Sequence, residues 1–479
     1  MTAPAPPSIA PAGGAHRKPH WRHNMNNPKV AAPPRSAGVT SLVGSLIGLC
    51  IFFFPFPTAD GSLKIPLVII IDYLKSSLGG ALEYLTLGLV ALLCVTWLLS
   101  RLVASSGASS PWRRAVAAYH EKDGTMTGLT FLLAAVFTFM LVFQIGPDWL
   151  LHKDVGGLAL YLGGSVFLTV AIAGLFVLFL TEFGFLEFVG TLMEPLMRPL
   201  YRLPGKSAVD AVASFVAAPA VGIFITNKLY LEGHYTQRES ASIATNFSIC
   251  SLGFFALLAS IGGIMAYLPQ MIIVSFIINF TLAALMVRIP PLSRKLDVYH
   301  QGNTQTAQDL EVSSDGHILA RACGAAAERA SQTRLDVFYK GFWEAITFAQ
   351  KIVAYILAIA TLALLLATYT PVFDYLGVLV EPLISALQLP DAGAIAPTVL
   401  VSIAEIALPA IIISGADVDP MAVFFVCTLS SVQIIFFTES ANAMLESDIP
   451  LTVRDLVVVF LLRTLVAMPM VALATHLLF

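Results

Sequence analysis

The stretch Gly190-Thr-Leu-Met-Glu-Pro-Leu-Met-Arg-Pro-Leu-Tyr-Arg-Leu-Pro-Gly205 returns, altered, as Gly377-Val-Leu-Val-Glu-Pro-Leu-Ile-Ser-Ala-Leu-Gln-Leu-Pro-Asp391. Both copies read Gly-x-Leu-x-Glu-Pro-Leu and close on Leu-Pro. The separation of Gly190 from Gly377 equals that of Glu194 from Glu381 and of Pro195 from Pro382, and it slips by one residue at Pro204 and Pro390. The chain therefore reads as a duplicated unit. In each copy an apolar stretch with a central proline follows, Pro219-Ala-Val-Gly-Ile-Phe-Ile-Thr226 and Pro409-Ala-Ile-Ile-Ile-Ser-Gly415. Each then continues into a long apolar segment carrying Ser, Thr and Asn.

Of 479 residues, 57% are hydrophobic and 12% are charged, about half the charge usual for a soluble domain. With a mean hydropathy of +0.81 and apolar runs near the length of a bilayer span, the class is a polytopic membrane protein. Buried strands of a soluble fold give apolar runs of only about 4 to 8 residues. The net charge of −3 says little about partners, because in a membrane protein the placement of charge matters more than its sum. Cys50, Cys94, Cys250, Cys323 and Cys427 form no CxxC pair and read as packed thiols. No HExxH, GxSxG, P-loop or histidine cluster occurs, so no enzyme, resident metal or nucleic-acid partner is read.

Residues 1–36 are rich in Pro, Ala, Gly and Asn, carry Arg17, Lys18, Arg22, Lys29 and Arg35, and have no acid. They read as a disordered tail, placed in the cytoplasm by its positive charges ahead of the first span, 39–57. Residues 37–183 form an N-terminal transmembrane region. Arg113, Arg114 and Lys122 mark its cytoplasmic loop, and Arg198, Arg202 and Lys206 then put the first motif at the same face. Residues 208–229 are apolar, broken by Pro219 and Gly222, and flanked by Lys206 and Lys228. Basic ends on both sides predict a re-entrant hairpin of two half-helices. Spans are expected at 241–261 and 265–287, followed by a polar cytoplasmic loop over 288–340.

In the second copy the charge changes. Ser385, Gln388 and Ala392 stand where the first has Arg198, Arg202 and Lys206, and no Lys or Arg occurs between Lys351 and Arg454. That copy therefore faces outward, with its hairpin, 395–414 around Pro409, entering from outside. Inverted repeats with broken helices in matching positions are the pattern of a secondary transporter with a midplane site.

The motif pair, the proline-broken stretch and the Ser/Asn-bearing helix, occurring twice, resemble the nucleoside-recognition or Gate domain of concentrative nucleoside transporters, the membrane part of FeoB and spore-maturation membrane proteins. Length and the wording of residues 190–205 are most similar to the YjiH-type bacterial inner-membrane proteins, over most of the chain from about residue 37. The resemblance implies an all-α polytopic membrane protein with two inverted Gate-type repeats and re-entrant hairpins. The repeats are then 184–287 and 341–479, joined by the loop 288–340.

Candidate site residues are the polar groups at membrane depth. An ionisable residue there is costly unless it is paired or meets water. Glu405, inside the second hairpin with no basic residue in its unit, is either the ion-coupling group, as cation ligand or proton carrier, or a protonated carboxyl bonded to nearby backbone. Glu439, Ser440 and Asn442 lie where an apolar helix turns polar. They either present groups to substrate, as the resemblance implies, or mark an interfacial helix end. Thr226, Asn227, Asn246 and Ser248 in the first copy, with Ser430, Ser431 and Gln433 in the second, are further substrate-binding candidates or interhelical hydrogen-bond glue. Glu194 and Glu381 read as structural. The expected activity is secondary transport of a small polar solute, such as a nucleoside-like compound, coupled to Na+ or H+ without another cofactor. The alternative is a non-transporting scaffold or accessory subunit with a Gate fold. The expected partners are the solute and the lipid bilayer, with a second copy or a small Gate-domain membrane protein as further candidates. The expected location is a bacterial inner membrane, with the N-terminus cytoplasmic.

Overall fold

The structure, a computed structural model, describes residues 35–54, 56–58, 63–106, 110–121, 123–306, 317–334 and 336–479. The tail expected over 1–36 lies outside the described residues up to residue 34. The described chain is all-α apart from a two-residue ribbon, Phe56–Pro57 paired with Leu63–Lys64. Six of its helices are long and apolar enough to cross a membrane: Ala81–Leu102, Thr125–Val142, Lys153–Thr181, Met265–Met286, Asp336–Tyr369 and Val453–Leu478. Many of their large side chains, among them Leu102, Val136, Ile277 and Leu473, are exposed, as lipid-facing residues are.

From Leu158 onward the element order recurs. A long helix, Leu158–Phe176, precedes the first motif helix, Phe185–Tyr201. Two short arms follow, Ser207–Val216 and Pro219–Leu231, then a broken helix, Gln237–Phe247 with Leu252–Ile261, and a long helix, Leu268–Met286. The second series runs Asp336–Tyr355, Val372–Ala386, the arm pieces Ala392–Ile395 and Thr398–Val401, Leu408–Ser414, Pro420–Gln433 with Ser440–Glu446, and Val453–Leu478. The two long leading helices pack antiparallel. Gly163 faces Val353 and Leu357, Gly174 touches Ala345, and Gly341 lies on Leu178. Glycine at these points lets the backbones approach closely.

The motif is the hook that joins these pieces. Each motif helix is followed by a left-handed residue just ahead of Leu-Pro, Arg202 with φ 56° and Gln388 with φ 57°, and the proline cannot continue the helix. In the first copy Glu194 Oε1 accepts from Arg198 Nε at 2.7 Å, and Oε2 accepts from the backbone N–H of Gly205. Arg198 Nη1 then donates to Glu239 Oε1 at 2.7 Å, and Glu239 forms a capping box with Thr236 at the start of the broken helix. Glu381 has no such chain. It is exposed, with Gly393 beside it.

The paired arms of the first copy fold back on themselves. Thr226 Oγ1 donates to Asp210 Oδ2 at 3.0 Å, and Gly222 lies on Ser214, so the first two arms are antiparallel. Pro219 and Pro409 do not break the arms centrally. Each stands in the first turn of a second arm, where a missing N–H costs nothing, and the chain bends just ahead of them. The segment expected as one span at 241–261 is interrupted at 248–251, with a bend of 40° between its halves. At the edge of the break Thr245 Oγ1 bonds back to Ala241 O at 2.7 Å and Ser248 Oγ to Ala244 O at 2.8 Å, side-chain bonds of the kind that bend helices.

Within the 288–340 loop, Ile318–Ser331 forms a helix whose Ala322, Ala326 and Ala330 make a buried stripe. It packs against Gly184, which holds φ +89° and would place a Cβ 2.2 Å from Ala326 O.

Candidate functional site

Two unwound segments, 248–251 and 434–439, interrupt the broken helices. The second leaves its helix through Ile434, at φ 52°, and Phe437 N donates to Ile403 O at 2.8 Å, which ties it to the turn between Thr398–Val401 and Leu408–Ser414. Glu405 stands in that turn, 3% exposed. Its Oε1 accepts from Ala407 N at 3.2 Å and its Oε2 from the Thr438 hydroxyl. Glu439, one residue on, reaches the other hairpin, where its Oε1 accepts from Ala220 N at 3.0 Å. Ala220 lies in the first turn of Pro219–Leu231, and there the unpaired N–H groups and the positive end of the helix dipole favour a carboxylate. Two carboxylates, Glu405 and Glu439, thus stand where the bends of the arms meet the second unwound segment.

Ser440 and Asn442 shape the same segment. The Ser440 hydroxyl donates to Ile434 O at 2.6 Å and accepts from Phe436 N at 3.0 Å. Asn442 Nδ2 donates to Phe437 O, while its buried Oδ1 has no partner. Gln433 braces the second hairpin: Oε1 accepts from Ser402 at 2.5 Å, and Nε2 donates to Val399 O and Thr464 Oγ1, both at 2.8 Å. Ser430 donates to Ile406 O, and Ser431 shares a bond of 2.8 Å with Ser275. The remaining candidates make no contact with Glu405 or Glu439. Thr226 serves Asp210, Ser248 at the start of the first unwound segment bonds back to Ala244 O of the preceding helix, and Asn246 Oδ1 accepts from Arg463 Nη1 at 2.9 Å.

Asn227 belongs to a different place. It lines a cavity of about 490 Å³ whose wall includes Tyr119, Asp123, Lys228, Lys351 and Glu446, and its Oδ1 accepts from Asp448 N at 2.8 Å. Lys351 organises one side of this cavity. Its Nζ lies 3.1 Å from Asp123 Oδ1, 3.5 Å from Glu446 Oε1, and 4.9 Å from the centre of the Tyr119 ring. Burial pushes the Asp123 carboxyl up, but the 2.6 Å bond to His120 and the Lys351 charge outweigh it and hold the group below its ordinary range. On the other side Lys228 pairs with Glu182 at 2.9 Å, and Arg329 of the loop helix takes the second oxygen of Glu182 at 2.8 Å. Among the described residues no cluster of His, Cys, Asp and Glu is placed to hold a metal ion.

Sequence reasoning passes over Asp210, Arg463 and Lys351. All three are charged residues inside apolar runs and buried, so the rule that singles out Glu405 finds them too.

Comparison with known proteins adds three findings. A family model described as nucleoside recognition, Gate, matches residues 164–265, from the first long helix through the first broken helix. Over 443 residues, 91% of this chain and 94% of the relative, the sequence is 32% identical to a protein of Alkalihalophilus pseudofirmus described only as uncharacterized. Over 140 residues, 26% of this chain and 33% of the relative, it is 28% identical to the sporulation integral membrane protein YlbJ of Bacillus subtilis.

Proposed function

Since the chain belongs to the nucleoside-recognition (Gate) family of integral membrane proteins, we propose that it is a secondary transporter of a small polar, nucleoside-like solute. One observation carries this reading: Glu439 of the second copy caps the second arm of the first copy at Ala220 N, beside Glu405 and the second unwound segment. Open backbone groups at membrane depth are tolerated only where protein or a wet cavity meets them. A polar solute that competes for Ala220 N and Glu439 would be held between the two copies. The cavity lined by Asn227 and Lys351 is the vestibule on one side, and its volume of about 490 Å³ suits a small solute. On this reading the protein lies in a bacterial inner membrane with its N-terminus in the cytoplasm, needs no cofactor beyond Na+ or H+, and performs no chemistry on its solute.

The antiparallel packing of the two long leading helices supports opposite insertion of the copies. In a cysteine-free background, Arg202→Cys and Gln388→Cys, both at exposed positions, should label from opposite sides of the membrane. Labelling of both from one side removes the inverted repeat.

Uptake of labelled solutes into proteoliposomes holding only this protein tests the function. Glu405→Gln should abolish ion dependence while leaving solute exchange measurable, because the amide keeps the shape but cannot change charge. Glu439→Gln should weaken apparent solute affinity about tenfold, since a charge-assisted hydrogen bond becomes a neutral one of roughly half the strength. Failure of the unmodified protein to take up any solute of the panel would favour a scaffold role.

A further inference from the structure

Arg463 lies near the middle of Val453–Leu478 and is fully buried, at 0% exposure. Its Nε donates to Val432 O at 2.6 Å, Nη1 to Asn246 Oδ1 at 2.9 Å, and Nη2 to Asn279 Oδ1. None of these acceptors carries a formal charge. Among the described residues no carboxylate lies within ion-pair distance of it, so the guanidinium stands in a low-dielectric interior without an ordinary counter-charge, a costly arrangement. Three neutral oxygens do not explain why a full positive charge is kept there.

The backbone does. Val432 lies in the last turn of Pro420–Gln433, and Asn246 in the last turn of Gln237–Phe247. Both helices stop inside the protein, at the unwound segments. Each helix end carries a partial negative charge of about half an electron on its unpaired carbonyls, and two such ends supply about one negative charge in all. We propose that Arg463 is a tethered cation, seated where the C-terminal ends of the two broken helices converge, in the position at which carbonyl and amide oxygens would otherwise gather an alkali-metal ion. The side chain takes the place of the ion, and its removal leaves a site of Val432, Asn246 and Asn279 oxygens for a monovalent cation. The buried Asn279 Nδ2, which has no hydrogen-bond partner, fits this account: the amide is turned to offer its oxygen to the charge, and its nitrogen goes unsatisfied. Where the transport reading holds, this seat is already taken, and coupling falls to the carboxylates.

The test is thermal unfolding of the full chain in detergent, in sodium, potassium, lithium and choline chloride at equal ionic strength. Transport does not enter the measurement, so its outcome is separate from the fate of the transport reading. The unmodified protein should melt at the same temperature in all four salts. Arg463→Ala should melt lower in choline and regain several degrees in at least one alkali salt, whereas Arg463→Lys, which keeps a charge, should show no salt preference. An alanine variant indifferent to the cation overturns the proposal. If that variant does not fold, Arg463→Gln decides, because it keeps donor groups and part of the volume without charge. A glutamine variant as stable in choline as the unmodified protein would show that hydrogen bonding alone suffices, and one restored by an alkali ion supports the tethered cation.

Discussion

Gly205→Ala should destabilise the protein by about 3 kcal/mol, the upper range for forcing an added carbon into a closed-packed site. A Cβ at this position would lie 1.9 Å from Gly190 O and 2.6 Å from Glu194 N. Both are backbone atoms of the motif helix and cannot swing aside. Moving the loop away would break the bond from Gly205 N to Glu194, and with it the run of charged contacts from Glu194 through Arg198 to Glu239. The effect should appear as a lower unfolding midpoint in detergent. Gly393→Ala is the matched control, since its nearest neighbour is Glu381 Oε1 at 3.7 Å, and it should stay within about 0.5 kcal/mol. If both variants melt alike, the close approach of Gly205 is not what holds the motif.

Lys351→Met should cost about 3 kcal/mol as well, because removing one partner of a buried ion pair leaves the other charge uncompensated. Only 10% of the Lys351 side chain is exposed, and it stands against Asp123 and Glu446 with 6% and 12%. Lys351→Arg should retain most of the stability. The pH dependence follows from Asp123, whose carboxyl is held below its ordinary range. A depressed carboxylate contributes stability that is complete above its unfolded value of about 3.9 and fades as pH falls through the folded one. The difference between the unmodified protein and Lys351→Met should therefore persist from neutral pH down to about 4 and narrow only below it. A gap that closes by pH 6 would assign the stabilisation to some other group.

What the sequence makes legible is whatever depends on local pattern. The duplicated Glu-Pro-Leu wording, apolar runs of span length and prolines ahead of short apolar arms give a helical membrane protein with two similar units. The polar residues just before and within the breaks, Asn246, Gln433 and Glu439, also stand out, because a polar residue inside an apolar run is visible without coordinates. Three things are not visible. The interruption at 248–251 depends on which way Ser and Thr hydroxyls turn, and the same residues sit inside continuous helices elsewhere. The partners of Glu439 and Lys351 come from segments far apart in the chain, and spacing says nothing about such pairs. Asn227 and Asn246 are similar residues on neighbouring helices, yet one lines a cavity and the other holds an arginine.

The contact between Glu439 and Ala220 N joins residues 219 positions apart, and this bears on how the chain is made. The first pair of arms leaves the ribosome before the residue that satisfies Ala220 N is synthesised. At about 5 to 20 residues per second, roughly 10 to 40 s pass before Glu439 emerges. During that interval the open N–H at Ala220 has to be met by water, by lipid headgroups or by the insertion machinery. The order of synthesis thus leaves the Ala220 N–H to be satisfied late, by a residue of the later half of the chain.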